Sequence, residues 1–451
     1  LGLHFTTALL TGGWASNVRL TLADGRIAGI ERDVPALPDD ERAGIGLPGI
    51  ANLHSHAFQR GMAGLTERRG KDQDSFWTWR ALMYRFVDQI TPDDLEAIAA
   101  QAYVEMLEAG FTRVGEFHYL HHGDGGAPYA DIAEMGARIA AAADKSGIGL
   151  TLLPVFYAHG GFGGMAASAA QARFLNDPDR YAALIDASRM AVAGLDGAVV
   201  GIAPHSLRAV TPDELTAILP LAAASPIHIH VAEQTKEVED CLAWSGARPV
   251  EWLLDNNPVD GRWCLVHATH MTRGESSHLV RSGAVAGLCP ITEANLGDGL
   301  FPAPGFRRQG GRFGVGSDSN VLISLSEELR LLEYGQRLDR RVRNVMAGYA
   351  NTSTGRALFE GASAGGAQAL GVEGGLAVGA PADIVSLQAD HPNLVARSDD
   401  DILDSFIFAS GHGLISGAWR AGRKLVSDGT HRNRVAVARR YRRTLERLLA
   451  S

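Results

Sequence analysis

Eight apolar runs recur between residues 48 and 370: LPGIANLH, FTRVGEFH, GLTLLPVFYAH, AVVGIAPH, PIHIHVAE, WCLVHA, AVAGLCP and FGVGSD. Segments of helical spacing, such as LEAIAAQAYVEMLEAG, separate many of them. Strands without polar alternation are buried on both faces, the habit of a parallel sheet covered by helices. Eight repeats of that kind predict an α/β fold, a (β/α)8 TIM barrel, with an open doubly wound sheet as the structural rival.

The two ends of the chain have a different texture. VRLTLADGRIAGIE holds two alternating runs around Asp24-Gly25, a hairpin signal. PADIVSL and SGAWRAGRKLVSDGT repeat that style near the other end. Neither end alone can build a core, so the two are expected to combine. The predicted organisation is a small β-sandwich from 1–46 and 373–430, a barrel over 47–372, and a helix over 431–451. That last helix, RVAVARRYRRTLERLLA, is basic and amphipathic. A helix packed on the barrel is the expectation; a membrane or acidic-partner role is the alternative.

Composition narrows the class. The chain has 451 residues, 46% hydrophobic and 21% charged, enough to bury a large core. A net charge of -9 argues against nucleic acid as a partner. Three scattered cysteines, Cys241, Cys264 and Cys289, read as reduced thiols of a cytoplasmic protein. No apolar run reaches membrane-spanning length, and no signal-peptide pattern opens the sequence.

Polar residues gather where the runs end. In a strand, residues i and i+2 share a face, so His54 and His56 point the same way at the end of the first run. In a barrel that end carries the active site. The fifth run ends in His228, His230 and then Glu233, the sixth in His267 with His270 beyond, the eighth in Asp318. His118 and Tyr119 close the second run and His205 the fourth. A single buried histidine is more often a hydrogen-bonded core residue than a ligand. The set gains meaning because only a barrel brings its members together.

Three imidazoles and a carboxylate are ligands for catalytic zinc, with Fe²⁺ also accommodated. The expected ligands are His54, His56, His230 and Asp318. His230 is chosen over His228 because it lies nearer the strand end, which leaves His228 in a deeper layer. No lysine occupies a strand end where it would bridge two metals, so one metal is expected. Such an ion lowers the pKa of its water from about 15.7 toward about 7. Asp318 would accept the water's proton, Glu233 would act as general acid and base, and His267 would polarise the electrophile or orient the attacking water. The plainer reading of Glu233 is a carboxylate at a helix start. The reaction class is hydrolysis at an sp² carbon bearing nitrogen.

The segments NLHSHAFQRGM, HIHVAEQTKEVEDC, LVHATHM and GVGSDSN resemble, in order and context, the deaminase branch of the amidohydrolase superfamily. The first of them, with FWTWRALMYRF and APHSLRAVTP, is most similar to the deiminases that act on N-formimino-L-glutamate in histidine breakdown. The resemblance implies one zinc on the four ligands above and catalytic roles at Glu233 and His267. It implies substrate contacts at Gln59, Arg80, Tyr119, His205 and Arg208, and a homodimer by analogy. A dicarboxylate substrate agrees with the residues themselves, because arginine grips carboxylate through paired parallel hydrogen bonds. Against this stands a purely structural Arg80 stacked on Trp77 or Trp79. Two rivals remain open: a deaminase of guanine or another heterocycle on the same metal site, and a metal-free scaffold of amidohydrolase shape.

Overall fold

All eight apolar runs form strand. The computed structural model describes residues 1–68, 76–348, 352–411 and 413–450. The barrel strands are Ile50–Ser55, Phe111–His118, Gly149–Phe156, the split pair Val199–Val200 and Ala203–Pro204, Ile227–Val231, Trp263–His267, Val285–Leu288 and Arg312–Val315. The first, second and third of these are buried at every position, as a strand covered on both sides must be. Neighbours pair in parallel and in sequence order, first to fourth and fifth to eighth. The bridge Ile202↔Ile227 joins the two sets, and Ser55↔Asp318 joins the eighth to the first. The order is the one a closed (β/α)8 ring requires, and it lacks the strand reversal of a doubly wound sheet.

The fourth run departs from a continuous strand. Its two short pieces are interrupted at Gly201 and Ile202. Gly201 lies against the Pro226 carbonyl, where a Cβ would fall 2.5 Å away. Pro204 has no N–H for a ladder bond.

The closing seam is tight. His56 N–H donates to the Asp318 carbonyl and Asp318 N–H to the His54 carbonyl, each at 2.9 Å. Gly316 makes room for this: a Cβ there would sit 2.7 Å from both the nitrogen and the carbonyl oxygen of His54. Gly316→Ala is therefore expected to destabilise the fold by about 1–3 kcal/mol. An unchanged denaturant midpoint would show that the seam tolerates spreading.

Strands from both termini share one hydrogen-bonded path of eight. The segments meet where Glu41–Pro48 pairs antiparallel with Ile384–Leu387. Leu3, Phe5, Leu20, Ile27, Ile384 and Trp419 belong to a core of its own. Ala23 pairs with Arg26 across a two-residue turn, with Asp24 at φ 48° and Gly25 at φ 75°, as a primed hairpin turn needs. A helix at Asp400–Phe408 interrupts the C-terminal β segment. It buries Ile402, Leu403, Phe406 and Ile407, a helical spacing that a reading for strands passes over.

The basic terminal helix, Arg434–Leu449, packs on the barrel helix Pro92–Glu108. Its arginines pair with that helix's acids: Arg434 with Glu108, Arg440 with Glu96, Arg447 with Asp94. Three of the arginines behind that charge are thus paired within the chain. Among the described residues, no helix is long and apolar enough to cross a membrane.

Candidate active site

The strand ends that carry the polar residues are also where the backbone is strained. Ala232, His267, Ala268, Asp318 and Asn320 all have positive φ, between 45° and 66°. For side chains with a Cβ this costs about 1–3 kcal/mol each, and it persists only where surroundings enforce it. Two devices do so here. Glu237 accepts the N–H groups of Ala232 and Glu233, both at 3.1 Å. Asn320 Nδ2 donates to the Asp318 carbonyl at 3.0 Å and the His56 carbonyl at 3.1 Å. Glu237 thus satisfies the turn before the helix Thr235–Ser245, and the Glu233 carboxylate turns into the cleft instead.

His54, His56, His230 and Asp318 converge, with one ligand atom from each within 4.8 Å of the others. His56 Nδ1 donates to the Phe117 carbonyl at 2.9 Å, and His230 Nδ1 to the His205 carbonyl at 3.1 Å. Carbonyls only accept, so both Nε2 atoms present lone pairs. These lie 3.2 and 3.1 Å from His54 Nε2. Asp318 Oδ1 is 3.5 Å from His54 Nε2 and 3.3 Å from His56 Nε2. One hydrogen on His54 cannot serve three acceptors, whereas a cation can. Four ligands at 2.0–2.1 Å in a tetrahedron stand about 3.3 Å apart, which is the spacing seen. Burial pushes His54 down to about 3 and lowers His56 and His230. All three stay neutral, the form that ligates. Burial alone would raise the Asp318 carboxyl, but the imidazoles around it, His54 first, hold it far below the usual range. The residues fit a metal. A second convergence of His267, Cys289 and Asp318 shares Asp318. It has one donor fewer, and burial pushes its thiol up, away from the thiolate.

The acid–base groups stand beside this quartet. His267 Nε2 is 3.8 Å from Glu233 Oε1 and 3.7 Å from Asp318 Oδ2. On its other side, His267 Nδ1 faces Glu293 Oε1 at 3.2 Å. That same oxygen accepts the Cys289 N–H at 2.9 Å, so the carboxylate is anchored. Burial alone would lower His267, but Glu233, Glu293 and Asp318 outweigh it and lift the imidazole to about 10. Burial pushes the Glu233 carboxyl up to about 7, against the pull of His267 and Arg208.

The expected substrate residues line the same cleft. Gln59 Nε2 donates to the Tyr119 hydroxyl at 2.9 Å, leaving Gln59 Oε1 buried without a partner. Arg208 lies 3.9 Å from Glu233, and its Nε is buried and unpaired. His205 faces the cleft across the Tyr157 ring, with centroids 4.6 Å apart. Arg80 stacks over Tyr84 at 5.2 Å and donates to the Tyr157 hydroxyl at 3.0 Å. Of the two expected stacking partners, the side chain of Trp77 lies outside the described residues and Trp79 lines the same cleft. His228 donates to the Ala369 carbonyl in the core, and His270 to the Asp298 carbonyl; neither lines the cleft. Sequence reasoning passed over Glu293, Glu237, Tyr84 and Tyr157. Glu293 had a usable signal, a carboxylate just past the seventh strand, one of the two runs given no polar residue.

Residues 45–425 match the model of the Amidohydrolase family, and residues 3–44 match that of the Formimidoylglutamate deiminase HutF N-terminal domain. The chain is 52% identical to the formimidoylglutamate deiminase of Pseudomonas aeruginosa, over 98% of each chain. A crystal structure of an amidohydrolase from Brucella melitensis superposes with a TM-score of 0.96 at 57% identity, covering 99% of each chain. An adenosine deaminase from Xanthomonas campestris, solved with bound zinc, shares the fold at a TM-score of 0.82 and 19% identity, covering 100% of this chain and 98% of its own. Strand order, the convergent quartet and these likenesses agree: the chain belongs to the amidohydrolase family.

Proposed function

We propose that this protein hydrolyses N-formimino-L-glutamate to N-formyl-L-glutamate and ammonia. The observation that carries the reading is the placement of two arginines, Arg80 and Arg208, in one cleft with the His54, His56, His230 and Asp318 quartet. The 52% identity to a formimidoylglutamate deiminase supports the same choice. Between a heterocycle and a linear dicarboxylate, the lining chemistry decides. Two guanidinium groups suit two carboxylates and have no counterpart on a neutral ring. A metal-free scaffold has no need of four neutral or anionic donors aimed at one point. The fold that goes with this reading is a TIM barrel carrying a small β-sandwich of both termini.

One zinc ion would be held by His54, His56, His230 and Asp318, and Fe²⁺ suits the same donors. When bound, it acidifies water enough to supply a nucleophile near neutral pH. Arg80, Arg208, Tyr119 and His205 grip the carboxylates, and the Gln59 carbonyl accepts the substrate N–H. Asp318 Oδ2 takes the proton from the attacking water. As the C–O bond forms, the C=N π electrons move onto the imino nitrogen, steadied by His267. Glu233, ionised at rest, takes up the proton from Asp318 and passes it to the nitrogen; the second proton of the former water, now on the intermediate's hydroxyl, follows as the C=O forms, the C–N bond breaks and ammonia departs. Glu293 acts as a positioning residue that keeps the His267 ring turned toward the reacting carbon.

Two measurements check this. With N-formimino-L-glutamate, N-formyl-L-glutamate in a ¹³C NMR time course and ammonia in a parallel colorimetric assay should appear together, and guanine should give no ammonia. Formamide and glutamate as products would place cleavage at the other carbon–nitrogen bond. For the positioning role, Glu293→Gln keeps an acceptor for His267 and is expected to retain about tenfold more kcat than Glu293→Ala. Equal losses in both would mean charge, not orientation, is what Glu293 supplies.

A further inference from the structure

Hydrogen counting in the cleft leaves one donor unclaimed. The Ser168 N–H and hydroxyl both donate to Gln171 Oε1, at 2.8 and 2.9 Å. That fixes the amide, so Gln171 Nε2 donates to the Tyr157 hydroxyl oxygen at 2.6 Å. Arg80 Nη2 donates to the same oxygen at 3.0 Å. Two donors fill that oxygen's acceptor capacity. That oxygen is therefore closed to the hydrogen of the Tyr84 hydroxyl. The Tyr84 oxygen accepts from Arg80 Nε. Its own hydrogen goes to neither of those partners. Tyr84 lines the cleft with Arg80, Arg208 and Glu233 and is partly open to it. Burial raises the Tyr84 hydroxyl above the ordinary phenol range, so it keeps that hydrogen.

We propose that Tyr84 is a substrate-binding residue whose hydroxyl donates, beside the Arg80 guanidinium, to one carboxylate of the substrate. Tyr157 and Gln171 are positioning residues that aim the hydrogen. The inference rests on the dicarboxylate reading above and adds a neutral donor to a site otherwise read through its charges. A phenol O–H is directional where a guanidinium is a broad fork, so the pair favours a planar carboxylate over a rounder anion.

The test is steady-state kinetics of wild type, Tyr84→Phe and Tyr157→Phe on three substrates. These are N-formimino-L-glutamate, N-formimino-4-aminobutyrate, which lacks the α-carboxylate, and N-formimino-L-2-aminobutyrate, which lacks the side-chain carboxylate. Both substitutions preserve ring volume. Tyr84→Phe is expected to raise KM for the dicarboxylate roughly tenfold to a hundredfold, with the smaller part of the loss in kcat. Tyr157→Phe, which leaves the donor present but unaimed, should give a smaller rise. For one of the two monocarboxylates the Tyr84→Phe loss in kcat/KM should shrink below about threefold, because the group it served is gone. Equal losses on all three substrates, a loss confined to kcat, or no change in KM would overturn the assignment of Tyr84 alone. A wild-type protein that releases no ammonia from N-formimino-L-glutamate would overturn the parent reading, and this inference with it.

Discussion

Asp318→Ala is expected to lower kcat/KM for N-formimino-L-glutamate by at least about four orders of magnitude, or about 5.4 kcal/mol of transition-state stabilisation. The residue does three things that alanine cannot. Its Oδ1 is one of four donors around a single point, 3.3 Å from His56 Nε2 and 3.5 Å from His54 Nε2. Its Oδ2 faces His267 at 3.7 Å and, in the proposed mechanism, takes the proton of the attacking water. Its ionised form balances imidazoles that burial has stripped of solvent. Loss of one ligand also weakens the metal, so bound metal should fall with activity. A kcat/KM within tenfold of wild type would remove Asp318 from the chemistry. The backbone bridge between Ser55 and Asp318 survives the substitution, so a folded variant is expected and circular dichroism checks it.

The second large effect is at Glu233. Glu233→Gln keeps the shape and removes proton transfer, and should cost about 10²–10⁴ in kcat, the usual range for a general acid or base. The pH dependence carries a sign. Glu233 must be ionised to take up a proton. Burial raises its carboxyl to about 7, and a bound cation pulls it down toward the ordinary value of about 4.3. Wild-type kcat/KM should therefore fall as pH drops through a midpoint between those values. The residual activity of Glu233→Gln should lack that limb. An acid limb that persists unchanged in the variant would assign it to another group.

The sequence showed the strands better than the turns between them. Continuous apolar runs announce a strand buried on both faces, so all eight appear where the pattern places them. The break in the fourth comes from a contact with Pro226, a residue more than twenty positions away in the chain. Asp400–Phe408 was hidden because a helix in a β-rich tail is visible only by its spacing. Within the site, His54, His56, His230 and Asp318 were readable because each ends a strand, and in a barrel strand ends meet. Tyr84 was not, because it sits on a helix whose orientation follows from packing; Glu293, just past the seventh strand, had the same strand-end signal and was passed over. The hydrogen on Tyr84 was further still from view, since its direction depends on Ser168, Gln171 and Tyr157 together.

Anomalous diffraction at the zinc edge from crystals grown with zinc tests the central claim most directly. The account predicts one peak per chain, enclosed by His54 Nε2, His56 Nε2, His230 Nε2 and Asp318 Oδ1. Two peaks bridged within the cleft, or a single peak bound by other residues while these four stay empty, would contradict it.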